Sequence, residues 1–414
     1  MNKLSVRIAE KAGTLLRIRP LKAPASLPSC TEKTVKAFCR EAYDAVLAPW
    51  PDDDTFSSGD GYIQRIRDID RHVFEGKHRV YIYNSPFWNC RKPGFYEPVP
   101  GEACYVIYND KDPGQLEYAA RLIRQSAGCY IHSVYRLLPC MMPEISGDTR
   151  PLFDLASVPC RKVIDLHGMV SAELKMLGEP ETTVRLAEKA EAMAIRDADL
   201  CVAVTHHMIA EFEAKYRTAV PHSLVLPISI PPEEHRMDIA EKQKAFTKIV
   251  YCGGVQKWQR VEEMLDAVNQ SKARNAEYAF YVNDGETFAR MLAEKPVGKP
   301  ITFGTKIGRD LKDALADADF GFLLRDDSPV NRVACPTKLT EYILNGIIPI
   351  LDYEDIGDLK ALGIRFVSLG SFLEGRLPDG AERPEIIREN LLAVGKMVNE
   401  REQSLNELKS YMAN

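Results

Sequence analysis

Lys338 and Glu341 stand three positions apart in the run 335–350, and that spacing already has chemical content. Residues three apart on a helix share one face. Pro336 reads as a first helical position, where a fixed φ suits the helix and the missing N–H would have had no partner. Asn345-Gly346 reads as the helix stop and 347–351 as an apolar strand. The pair therefore falls on a first turn, where free backbone N–H groups and the positive dipole end also favour an anion. A cation suited to a diphosphate and a carboxylate suited to ribose hydroxyls would sit side by side. The bland alternative, a surface ion pair, leaves the proline, the stop and the upstream glycines unexplained.

A second group lies upstream. The apolar run 248–252 leads into Gly253-Gly254, followed by Lys257 and Arg260, which reads as strand, glycine turn and helix start. Without Cβ atoms the backbone there can bend sharply and approach a diphosphate, with Lys257 or Arg260 as the counter-charge. A third group is Asp165-Leu166-His167-Gly168 after the apolar run 162–164, and a fourth is His132 in 129–133. Gly253, Arg325, His167 and His132 all fall at or just past predicted strand ends, the side on which open α/β sheets bind ligands.

The elements that must position these residues follow from periodicity and breakers. Strands are expected at 44–49, 79–83, 103–106, 129–132, 162–166, 200–204 and 223–227, with helices at 62–74, 115–126 and 182–197. After a proline-rich connection at 227–233 the pattern repeats. Strands are expected at 249–252, 278–282, 301–303, 320–324, 347–351 and 365–367, with helices at 261–270, 287–293 and 311–316 between them and a long helix from 384 to 412. Strands alternating with helices predict two α/β units, each a doubly wound, Rossmann-like parallel sheet. The expected divisions are a basic extension over 1–40, a first domain over 41–232, a second over 233–383 and a terminal helix over 384–414.

The helix carrying Lys338 and Glu341, the following Gly-Pro strand and the upstream Gly-Gly turn together resemble the nucleotide-sugar end of GT-B glycosyltransferases. The likeness is to the large retaining family that includes many bacterial polysaccharide and lipopolysaccharide sugar transferases. It covers roughly 160–355 well and the first 120 residues poorly. The resemblance implies a hexosyltransferase-type enzyme moving a sugar from a nucleotide-sugar donor to a glycan or lipid-linked acceptor, across an interlobe cleft, with the terminal helix crossing back to the first lobe. It places Lys338 near the donor phosphates and Glu341 on the ribose, and gives His167 the position facing the donor sugar, with His132 second. Arg325 and Arg332 join Lys257, Arg260 and Lys338 as candidates for stabilising the leaving phosphate. Gly59 to Tyr62, with Gly61 and Tyr62 leading the helix, resembles the glycine loop of the acceptor side. The sequence departs from the family in two respects: Gly346 and Pro349 are one residue further apart than its Gly-x-Pro pattern, and the second departure matters more. The first of two glutamates eight positions apart falls on Val333, which leaves Asp326 or Asp327 to substitute and leaves the stereochemical outcome open. An epimerase on the same scaffold and a non-catalytic binding subunit are the alternatives.

Bulk properties set further bounds. The chain has 414 residues, 45% hydrophobic and 27% charged, which suits two ordinary globular domains. A net charge of −5 argues against general nucleic-acid binding. Ten cysteines without CxxC spacing fit buried thiols in a reducing cytoplasm. Asp52 to Asp54 and Asp326-Asp327 resemble the metal motif of the other main glycosyltransferase fold, but basic residues take the metal's place in the GT-B scheme, so no metal is expected. The basic segment Lys3, Arg7, Lys11, Arg17, Arg19 and Lys22 reads first as a helix before a proline-rich linker and second as a peripheral membrane contact.

Overall fold

The computed structural model describes residues 27–53, 61–84, 92–109, 112–138, 155–220, 222–228 and 246–413. The basic N-terminal segment, Gly59 and Asp60, and the expected domain boundary at 232 lie outside these. Contacts divide the chain into one unit ending at Leu226 and resuming at Glu402, and another from Pro227 to Arg401.

The first unit is an eight-stranded sheet. Its strands are β1 (Asp44–Leu47), β2 (Arg79–Asn84), β3 (Gly94–Val99), β4 (Ala103–Tyr108), β5 (Gly128–His132), β6 (Arg161–Leu166), β7 (Leu200–Ala203) and β8 (Ser223–Val225). The order is β3-β4-β2-β1-β5-β6-β7-β8, parallel throughout except for β3. Near-continuous apolar runs such as Ala45-Val46-Leu47 are what strands buried on both faces require. Strand β3 escapes the periodicity reading because Glu97 and Pro98 interrupt it. It is a half-buried edge strand, and the register shift between Tyr96 and Val99 accommodates a proline that cannot donate to the ladder. The helix Gly61–Ile69 follows β1 and widens into a π turn over Asp70–Phe74. The core joins Val46, Tyr81, Tyr105, Tyr130, Val163 and Val202 to Leu405, Leu408 and Met412, so the last turns of the terminal helix Glu382–Ala413 complete this unit.

The second unit is a six-stranded, wholly parallel sheet. It comprises β9 (Thr247–Gly253), β10 (Ala276–Val282), β11 (Ile301–Gly304), β12 (Phe320–Phe322), β13 (Ile348–Leu351) and β14 (Val367–Ser368) in the order β11-β10-β9-β12-β13-β14. Strand order therefore reverses between β9 and β12, and in the first unit between β1 and β5. Those switch points are where a doubly wound sheet opens a crevice for ligands. Among the described residues no helix is long and apolar enough to cross a membrane.

Candidate functional site

In the second unit the helix Thr337–Leu344 is fixed over the end of β9 by Tyr342. The Tyr342 hydroxyl accepts from the Cys252 N–H at 3.1 Å, and any Cβ at Gly321 would run into its ring. The helix ends in a Schellman turn: Gly346, at φ 70°, donates to Ile343 and Ile347 donates to Tyr342, both at 2.9 Å. Pro336 differs from expectation, since it is the N-cap, in extended conformation, and Thr337 is the first helical residue. One position of slack suffices, because the proline ring tolerates both sites.

Lys338 lies four residues before Tyr342, on the same helix face. It is half-buried as a residue, with its ammonium turned inward. Nζ donates to Gln259 Oε1 at 2.7 Å and to the Tyr251 hydroxyl at 3.0 Å, and lies 4.6 Å from the centre of the Tyr251 ring. The Tyr251 hydroxyl in turn donates to the Gly254 carbonyl at 2.5 Å. At Gly253, at φ 144°, glycine is favoured twice over: the backbone angle disfavours a side chain, and a Cβ would overlap the end of Lys338.

Arg325, just beyond β12, brings a second cation. Its Nη1 donates to the same Gln259 Oε1 at 2.8 Å and to the Trp258 carbonyl at 3.2 Å. Among the described residues no carboxylate forms an ion pair with Lys338 or with the Arg325 guanidinium. Burial, reinforced by the Arg325 charge, pulls the Lys338 pKa from 10.5 down to about 7. Burial likewise lowers Arg325 and raises the carboxyl of Glu341, whose Oε2 sits 3.8 Å from the Cys252 thiol. Two cations at a topological switch point thus converge on one neutral oxygen.

The other basic candidates are placed differently. Arg260 pairs with Asp352, with Asp326 at 3.2 Å and with Glu263 at 3.5 Å, so its charge is already matched. Arg332 pairs with Asp327 at 3.0 Å. Lys257 is exposed on a short 3-10 turn, Lys257–Gln259. Asp326 and Asp327 are exposed and engaged by those arginines, and Val333 is buried in the core at 1% exposure, out of reach of a sugar. Gly254 is buried, and a Cβ there would overlap the Gln256 side chain. Gln259 and Tyr251 were not singled out by their sequence, although both flank the Gly-Gly turn.

In the first unit Tyr62, His132 and His167 come together at the other switch point. Tyr62 donates to the His132 carbonyl at 3.2 Å, and its ring lies 5.1 Å from that of His167. Gly61 opens the helix with free space where its Cβ would be. Beneath them is Asp165, fully buried at the β6 end. Arg65 clasps it through Nε at 2.9 Å and Nη2 at 3.0 Å, and Tyr130 donates to it at 2.9 Å. His167 Nε2 is 3.4 Å and His132 Nδ1 3.6 Å from the same Asp165 oxygen. Burial alone would raise the Asp165 carboxyl, but Arg65 and His167 overcome it and hold the group well below its usual range. Burial pushes His132 well below its usual range and keeps it neutral. His132, the second choice, is buried at 0% exposure, whereas His167 keeps an exposed edge. A charged residue inside an apolar strand run was the signal that Asp165 needed a buried partner.

His132, Asp165 and His167 also form the one group of three metal-ligand types that lie close together among the described residues. They do not suit a divalent cation. Both Asp165 oxygens already accept from Arg65, and the guanidinium charge would oppose a second cation in the same buried space.

No protein-family model matches the sequence, and no curated protein matches it. Solved structures do match. HepE from Anabaena, in complex with UDP and glucose, has a TM-score of 0.59 at 12% identity, covering 89% of this chain and 100% of that one. An alpha,alpha-trehalose-phosphate synthase (UDP-forming) from Burkholderia vietnamiensis has a TM-score of 0.55 at 12% identity over 89% and 100% of the two chains. Sucrose-phosphate synthase from Thermosynechococcus elongatus has 0.51 at 10% identity over 90% and 95%. At such identities the likeness establishes architecture alone, and the architecture is GT-B, two Rossmann-like α/β units in one chain.

Proposed function

We propose that this chain is a glycosyltransferase that takes a sugar from a nucleoside diphosphate donor, with the second unit holding the nucleotide. The observation that carries the reading is the convergence of Lys338 and Arg325 on a single uncharged oxygen at the β9/β12 switch point. Two buried cations without a counter-ion are costly in isolation and favourable around an anion. As the bond from sugar to diphosphate breaks, charge accumulates on the leaving phosphate, and a cradle already aimed at that charge lowers the barrier. Glu341, on the same helix turn, is assigned to the ribose hydroxyls. HepE binds UDP and glucose, and the Burkholderia enzyme is UDP-forming, which supports a sugar nucleotide as donor here. A retaining outcome, metal independence and a glycan or lipid-linked acceptor belong to the same reading.

In the first unit His167 is assigned to the sugar end of the reaction, since it alone of the histidine pair has an exposed edge. His167→Ala should lower turnover by about a hundredfold, the scale of one general acid–base or transition-state contact, with nucleoside diphosphate affinity unchanged. Full turnover in a folded variant removes the residue from the site. Transfer in excess EDTA tests the metal-free cradle: activity should persist, and loss restored by Mn²⁺ would transfer the role to a metal. The buried Val333 favours a second reading, a donor-binding subunit without turnover. Binding of UDP-sugar with neither transfer nor hydrolysis across a panel of acceptors would support that second reading.

A further inference from the structure

Gln259 has no assigned role in the reading above, yet it is the residue on which both cations meet. We propose that its carboxamide oxygen is a resident stand-in for a phosphate oxygen, holding Lys338 and Arg325 in place until a diphosphate takes the seat and the amide swings out. The inference rests on the reading of this cradle as a diphosphate site.

Three observations support it. The orientation is dictated by charge: an amide NH₂ group facing two cations would be repelled, so the oxygen must point inward, 2.7 Å from Lys338 Nζ and 2.8 Å from Arg325 Nη1. The match is incomplete by charge. Arg260, a few ångströms of chain away, is neutralised by Asp352, Asp326 and Glu263, whereas Gln259 offers Lys338 and Arg325 only a dipole. An anionic oxygen in the same place keeps these charge-assisted bonds and adds the attraction of opposite charges. Finally, the side chain can leave. Gln259 is half-buried on the short turn Lys257–Gln259, and its amide nitrogen has no protein partner among the described residues, so rotating it outward breaks only the contacts that an arriving phosphate replaces.

Residue 259 then sets how tightly the cradle takes an anion, and different substitutions act in opposite directions. Gln259→Glu installs a permanent counter-ion and should shut the site. Gln259→Ala vacates the seat and should open it. A glutamine that merely braced the turn, or that contacted the ligand directly, would weaken binding when cut to alanine.

The experiment is calorimetric titration of pyrophosphate and of UDP into the full chain, in the parent and in Gln259→Ala, Gln259→Glu and Lys338→Met, with melting temperatures on the same samples. Gln259→Ala should bind pyrophosphate about tenfold tighter, the scale of one net hydrogen bond that no longer has to be displaced. Gln259→Glu should bind at least about tenfold weaker and melt higher, because the cations gain a carboxylate. Weaker binding by Gln259→Ala, or parental binding by Gln259→Glu, overturns the stand-in role. The diphosphate site itself survives either result if Lys338→Met still loses affinity. Should neither the parent nor Gln259→Ala bind either probe, the site reading and this inference fall together.

Discussion

The two switch points hold the same ingredients, buried cations beside strand ends, and settle them in opposite ways. In the first unit Arg65 grips Asp165 with two parallel bonds, Tyr130 adds a third, and the charge is cancelled inside the protein. In the second, Lys338 and Arg325 share a glutamine oxygen, and among the described residues no carboxylate forms an ion pair with either side chain. A closed account of charge is what a scaffold needs in order to hold His167 against Tyr62. An open one is what a site needs if its missing partner is the ligand. On the function proposed above, the histidine side is built to stay as it is, and the lysine side to be completed.

The strongest way to break this contrast is to remove the anion from the closed pair. Asp165→Asn leaves the Arg65 guanidinium buried without a counter-charge, both residues being at most 1% exposed. Losing one partner of a buried ion pair typically costs about 3–5 kcal/mol, so chemical denaturation should show a large drop in stability. A variant as stable as the parent would mean that the clasp is ornamental. Lys338→Met should respond the other way. It removes a cation already repelled by Arg325, so stability should hold or rise by about 1 kcal/mol, while pyrophosphate affinity falls by roughly ten- to a hundredfold with the loss of a charge-assisted contact. If Lys338→Met were the destabilised variant and bound anions normally, the two sites would have to exchange descriptions.

A subtler test uses pH. In the folded chain Lys338 titrates near 7 in place of 10.5, so between those values the unfolded chain carries a proton that the folded one has released. Its contribution therefore makes the fold more stable as pH rises through that window, and the penalty is fully present below it. A bound anion favours the protonated amine, so binding above pH 7 takes up a proton and affinity should weaken as pH climbs from about 7 to 9. Lys338→Met should flatten both slopes. A parental slope that persists in that variant would point to another group.

Much of this was legible in the sequence because it was local. Apolar runs broken by Gly and Pro gave both sheets nearly strand for strand, and the helix stop at Asn345-Gly346 appears as the Schellman turn. Strand β3 was not legible, since its pairing with β4 is tertiary and its Glu97-Pro98 interruption mimics a loop. At the candidate sites, the placing of Lys338 and His167 at element ends was legible. Gln259 and Arg65 were not, because nothing about a single glutamine or a helical arginine announces the charge it will meet; Arg65 lies 100 positions from Asp165. The burial of His132 was not legible for the same reason: a strand-end histidine looks available until the packing around it is known.

The smallest expected effect is the most discriminating between sequence and structure, and it concerns Arg260. By position it belongs with Lys338, a basic residue after the Gly-Gly turn that should meet the diphosphate. In the fold its guanidinium is spent on Asp352, Asp326 and Glu263, and burial is outweighed by those carboxylates, which raise its pKa. An arginine so neutralised adds little field at the cradle, and the surrounding pairs are partly exposed and screened. Arg260→Gln should therefore change pyrophosphate affinity by no more than about twofold, while the same change at Lys338 costs ten times that or more. The bonds from Arg260 to the Arg325 carbonyl and to Asp352, whose other oxygen receives the Arg325 N–H at 3.1 Å, suggest where any residual effect would come from: a small shift of Arg325 itself. Comparing Arg260→Gln with Arg260→Lys separates the two causes. Lysine restores the charge but not the planar fork, so if it leaves the small loss in place the role is positional, and if it abolishes the loss the field of Arg260 reaches the anion after all.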